Sequence, residues 1–96
     1  MIGKLYKISN GFNNYDIFEA DSNHIYVFAD ILTKQFGFSM AKTPIFGLDG
    51  TYWEAKKGRI RLTLGWDIWS GAFVFANCKA GSRYVEKLHN ICEGQD

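Results

Sequence analysis

Residues 65–71 read Gly-Trp-Asp-Ile-Trp-Ser-Gly, with a strand pattern on each side. Before them, Ile60, Leu62 and Leu64 alternate with Arg59, Arg61 and Thr63, the period of a strand with one buried face. After them, residues 72–78 are apolar on both parities apart from Asn77, which suits a central strand with a helix over one side. Two strands joined by so short a connection pair antiparallel, so this segment commits the chain to a meander. Two of the three tryptophans lie in the connection. Indoles there either plug the core or present a surface. Continuing the parity of Leu64 turns Trp66 inward and leaves Trp69 as the candidate for exposure. Asp67 can tie the turn by accepting backbone N–H groups.

The remaining elements follow from local signals. Residues 2–8 and 12–20 read as two strands around Asn10-Gly11, a dipeptide suited to a tight hairpin. Asn13-Asn14 is the alternative turn. Ile25, Phe28, Ala29, Leu32 and Phe36 form a helical stripe. Asp21 or Ser22 is placed to cap its start and Gly37 its end. Residues 38–48, with Pro44 among them, read as loop. Asp49-Gly50 then turns into a strand over 51–55, paired through 56–58 with the strand at 59–64. Gly81-Ser82 opens a last helix, whose apolar face is Tyr84, Val85, Leu88, Ile91 and Cys92. The predicted fold is α+β: an antiparallel sheet of about five strands, in the chain order β-β-α-β-β-β-α, with two helices packed on one face.

The chain has 96 residues, one domain's worth, and a net charge of +1. That charge is too small to argue for nucleic acid by itself. Cys78 and Cys92 have no CxxC partner, which argues against zinc and for reduced, buried thiols. With no signal-peptide pattern and no apolar run of about 20 residues, the expected setting is cytoplasmic, without membrane. No dinucleotide, phosphate-loop, nucleophile-elbow or zinc-protease motif occurs, so no enzyme activity, metal or cofactor is expected. His24 and His89 are the only histidines. His89 and Cys92 are neighbours on a helix but lack a third, orienting group. Asp16, Glu19 and Asp21 read as a wet rim with a helix cap, or as an acidic patch for a basic partner. Lys56, Lys57, Arg59 and Arg61 beside Tyr52 and Trp53 read as a soluble sheet face, or as a hairpin that binds single-stranded nucleic acid by phosphate contact and stacking.

Residues 59–92 resemble a pattern seen in small bacterial immunity proteins of toxin–immunity systems of the contact-dependent inhibition type. That pattern is an amphipathic strand, a Trp-Asp-x-Trp-x-Gly turn, an apolar strand and a C-terminal helix. Here the turn is Trp66-Asp67-Ile68-Trp69-Ser70-Gly71. The resemblance implies a non-enzymatic inhibitor that forms a heterodimer with a cognate toxin domain. Immunity proteins against nucleases are often acidic, and this chain is not. Trp, Tyr and Arg dominate binding hot spots. The expected partner-binding residues are accordingly Tyr52, Trp53, Arg59, Arg61, Asp67 and Trp69, with Asp16 and Glu19 from the acidic patch. A free sheet edge would leave room for a homodimer.

Overall fold

The computed structural model describes residues 3–94. Seven strands and two helices follow one another as β1 (Lys4–Lys7), β2 (Asn13–Ile17), α1 (His24–Phe36), β3 (Ser39–Met40), β4 (Ile45–Phe46), β5 (Gly50–Lys57), β6 (Ile60–Asp67), β7 (Gly71–Ala76) and α2 (Lys79–Cys92). All pairings are antiparallel, in the order β1-β2-β7-β6-β5-β3, with β4 also on β5. The α+β architecture is as expected. The strand count is not, because residues 38–48 are more than loop. β3 and β4 pair with opposite halves of β5, at Ala55–Lys56 and Thr51–Tyr52, and act as one interrupted edge strand. Trp53 Nε1 donates to Ala41 O at 2.7 Å between them, pinning the interruption.

β7 is central, between β2 and β6, as its apolar character suggested. Ala72, Val74 and Ala76 point to the helices with Tyr15 and Ile17 of β2 and Leu62 and Leu64 of β6. Phe28 and Leu32 of α1 and Val85 and Leu88 of α2 close the core over them. Each such large side chain contributes roughly 1.5–3 kcal/mol by leaving water. Ile25, Phe28, Ala29 and Leu32 of the α1 stripe are buried and Phe36 is half-buried, and Gly37 takes the left-handed cap conformation at φ 75°. Its N-cap is Asn23, not Asp21 or Ser22. Asp21 spends its carboxylate one step earlier, accepting from the Asn23 N–H at 3.0 Å.

α2 starts earlier than Gly81-Ser82 would have it. Cys78 is its N-cap, with Sγ accepting from the Gly81 N–H at 3.3 Å. Ser82 is committed elsewhere: its Oγ accepts from Asn13 N at 2.7 Å and its carbonyl from Asn13 Nδ2 at 3.1 Å. At Gly81 the helix lies tight against the sheet; a Cβ there would lie 3.2 Å from both Ala76 and Leu62. The other end of α2 is held by Glu93, whose Oε2 accepts from Tyr15 OH at 2.5 Å and from Gly3 N at 3.1 Å. The two cysteines are unbridged and half-buried. No helix among the described residues is long and apolar enough to cross a membrane.

Candidate binding surface

With both helices on one side, the other face of the sheet is open. Register fixes what it displays. One row across it runs Lys4, Asp16, Phe73, Gly65, Tyr52, Ile45, each the cross-strand partner of the next. The next row runs Tyr6, Asn14, Phe75, Thr63, Glu54. The centre is aromatic: Phe73 stands 6.1 Å from Tyr52 and 6.1 Å from Phe75 between ring centroids. Gly65 lies beneath it, and a Cβ at that position would fall 2.5 Å from Cζ of Phe73. The ring covers the backbone that glycine leaves bare, a close approach that side chains elsewhere in β6 do not allow.

β6 therefore runs on through Gly65 and Trp66 to Asp67, and the connection shrinks to residues 68–70. Trp66 turns to the helix side and donates from Nε1 to Ala20 O at 2.9 Å. Asp67 Oδ1 accepts from Trp69 N at 2.9 Å and Ser70 N at 2.5 Å, tying the turn as its type and position predict. Trp69, at the tip, is 66 % exposed.

The turn belongs to a larger apolar rim. Ile68 N donates to Asp49 O at 3.2 Å, which joins it to the β4–β5 hairpin tip. On its other side Gly71 packs against the Ile17 and Phe18 carbonyls at the end of β2. Phe18, Ile45, Phe46, Leu48, Ile68 and Trp69 are thus gathered at one end of the sheet, all exposed; Phe18 is 72 % exposed. Single exposed apolar residues are ordinary; six of them at one end of a sheet make this rim a candidate interaction surface.

The expected partner-binding residues do not all share this surface. Tyr52 and Trp53 face opposite sides of β5: Tyr52 lies on the open face, while Trp53 packs edge-on against Tyr26 of α1 at 5.4 Å. Arg61 is on the open face but paired with Glu54 at 3.6 Å. Arg59 is exposed in the β5–β6 turn, and Glu19 is exposed just beyond β2. Lys57 turns away from the face, donating to Phe36 O at 2.6 Å with its ammonium 5.2 Å from the Tyr84 ring centre. The basic and aromatic side chains at 52–61 are therefore divided between faces. Asp16 and Trp69, distant in sequence, do meet. With Tyr6 and Phe18, which sequence reasoning passed over, they wall a depression of about 590 Å³. The Tyr6 hydroxyl donates to Asp16 Oδ2, and this bond, with lesser burial, pushes the phenol up to about 12.

The histidines lie away from this surface. His89 is edge-on to Tyr15 at 5.1 Å, and its Nδ1 is 3.1 Å from Asn90 Oδ1. Burial pushes the Cys92 thiol up, which keeps it a thiol rather than a nucleophilic thiolate. His24 sits edge-on to Phe28 at 4.9 Å, its Nε2 buried without a hydrogen-bond partner among the described residues. Desolvation lowers its pKa from the usual 6.5, with Asp21 pulling the other way. A histidine lowered on folding binds its proton more readily in the unfolded chain. Its contribution is therefore complete above pH 6.5 and lost as pH falls through the lower folded value. Urea midpoints measured from about pH 7.5 to 5 should fall more steeply for the wild type than for His24→Gln. Parallel profiles would remove His24 as the cause.

Among the described residues no three of His, Cys, Asp and Glu are grouped as a metal ion would require. Comparison with models of known protein families, with curated proteins and with solved structures finds no match to this chain.

Proposed function

We propose that this chain is a small immunity protein that binds and neutralises a bacterial toxin domain, docking it on the open sheet face and the apolar rim. The observation that carries the docking surface is the rim itself: six large apolar side chains held exposed at one end of a sheet whose other face is fully used by helices. A rim of this kind, bordered by carboxylates and an aromatic sheet centre, has the makeup of a protein interface: apolar at its heart and polar around it. The identity of the partner rests on the resemblance of residues 59–92 and its Trp66-Asp67-Ile68-Trp69-Ser70-Gly71 turn.

The same face argues for protein over nucleic acid. Asp16, Glu54 and Asp67 lie on it beside Lys4, Lys56 and Arg61, so its charges balance, and Arg61 is already engaged by Glu54. Phosphate affinity needs uncompensated cations, and the stacking residues Tyr52 and Trp53 are split between faces.

The test is genetic and biochemical together. The product of the gene adjacent to this chain's own should arrest growth when expressed alone, be relieved by this chain, and co-purify with it. A harmless neighbour that forms no complex overturns the immunity reading.

A further inference from the structure

The depression at the β1–β2 edge has a chemistry of its own. Its walls are three exposed aromatic rings, Tyr6, Phe18 and Trp69, and its polar lining is the Asp16 carboxylate with Ser70 and, at the strand edge, Lys4. An adjoining hollow of about 250 Å³ shares Tyr6 and Asp16 and adds Asp67. Asp16 is a held group: its Oδ2 accepts from the Tyr6 hydroxyl and from Asn14 Nδ2 at 3.2 Å. Those two donors are neutral. The ion pairs among the described residues are Lys34–Asp30 and Arg61–Glu54, so Asp16 has a fixed orientation and, among the described residues, no salt-bridge partner; Lys4, across the strand pair, lines the groove without pairing with it. Aromatic faces attract cations through their quadrupole, and a carboxylate completes the match.

We infer that this groove receives an arginine side chain of the protein partner, its guanidinium stacked between Trp69 and its neighbouring rings and hydrogen-bonded to Asp16. The inference deepens the docking surface proposed above and rests on that reading. Arginine fits better than lysine because a planar guanidinium can stack on a ring and bond a carboxylate in its own plane at once, whereas an ammonium is a strongly hydrated point charge. The neutral phenol of Tyr6 supports the site in two ways. It presents its ring to the groove, and its proton stays on oxygen, leaving the negative charge on Asp16.

The probe is N-acetyl-arginine methylamide, titrated into the ¹⁵N-labelled full chain and followed by NMR, with the citrulline analogue as a neutral isostere. Saturable shifts are expected at Tyr6, Asp16, Phe18, Ser70 and the Trp69 indole, with a dissociation constant on the order of 10 mM. The citrulline probe should bind at least about 5-fold more weakly, and Asp16→Asn and Trp69→Ala should each weaken the arginine probe by about the same factor. Equal shifts from both probes, or shifts centred elsewhere, would overturn the assignment. The probe comparison uses the unmutated chain, so misfolding of a variant cannot obscure it. If the groove ignores arginine while Trp69 substitutions still release the toxin domain, the arginine assignment fails and the docking surface stands.

Discussion

Gly71→Ala is expected to destabilise this protein by about 3 kcal/mol or more, a large share of the roughly 5–15 kcal/mol total usual for a domain. Two costs add. Gly71 sits at φ 74°, where an L side chain pays roughly 1–2 kcal/mol in its own backbone. Its Cβ would also enter the space of the Ile17 and Phe18 carbonyl oxygens. Those are backbone atoms, so relief requires β2 to move off β7 rather than a side chain to turn. β7 is the strand through which the β1–β2 hairpin joins the rest of the sheet, so the disturbance falls on the core's own seam. Gly11 supplies the control. It too has positive φ, at 85°, but a Cβ there meets nothing within 4 Å. Gly11→Ala should therefore show the backbone cost alone, about 1 kcal/mol. Urea titrations of both variants measure the difference. Equal losses would mean that the close approach of the turn to β2 contributes nothing.

That approach also explains what could and could not be read from the sequence. Signals confined to one element were legible. The stripe of α1, the alternation in β6 and the two-sided apolar run of β7 each state which faces are buried. Gly65 was misleading because glycine before Trp-Asp looks like the start of a turn. It is instead a strand residue roofed by Phe73, and the covering ring comes from the partner strand, out of sight of any local window. β3 and β4 carry no pattern because two-residue strands have none; β5 supplies their pairing. Tyr52 and Trp53 show the opposite case. Adjacent residues on a strand point to opposite faces, so alternation alone separates them, and grouping them by proximity joins side chains that the sheet holds apart. Asp16 and Trp69 were each named as candidates, but nothing local places them together. Only the order β1-β2-β7 sets the first hairpin beside the last strand and makes one groove of Tyr6, Asp16, Phe18 and Trp69. Strand order is a property of the packed sheet, and the chain order does not encode it.

The second large effect separates binding from folding. If the proposed docking holds, Trp69→Ala is expected to weaken the complex with the protein partner by about 2 kcal/mol, near 30-fold, since tryptophan is among the commonest interface hot spots. Phe18→Ala, on the neighbouring wall, should weaken it as well. The pair are close enough that their effects will not simply add. Neither substitution should move the urea midpoint by more than about 0.5 kcal/mol equivalent, because both side chains are mostly in water in the isolated protein. Trp53→Ala is the reverse experiment. That indole rests on Tyr26 and holds Ala41 O, so its loss should cost about 2–3 kcal/mol of stability and leave the intrinsic affinity of the folded fraction alone. Isothermal titration beside chemical denaturation reads both quantities. If Trp53→Ala weakens binding while Trp69→Ala does not, the partner lies on the helix side of the β5 edge, and the open face is not the docking surface. The contrast is informative because the two tryptophans are the same chemical group. One has committed its N–H to Ala41 O and packs its ring on Tyr26; the other keeps its ring mostly in water, where a partner can bury it.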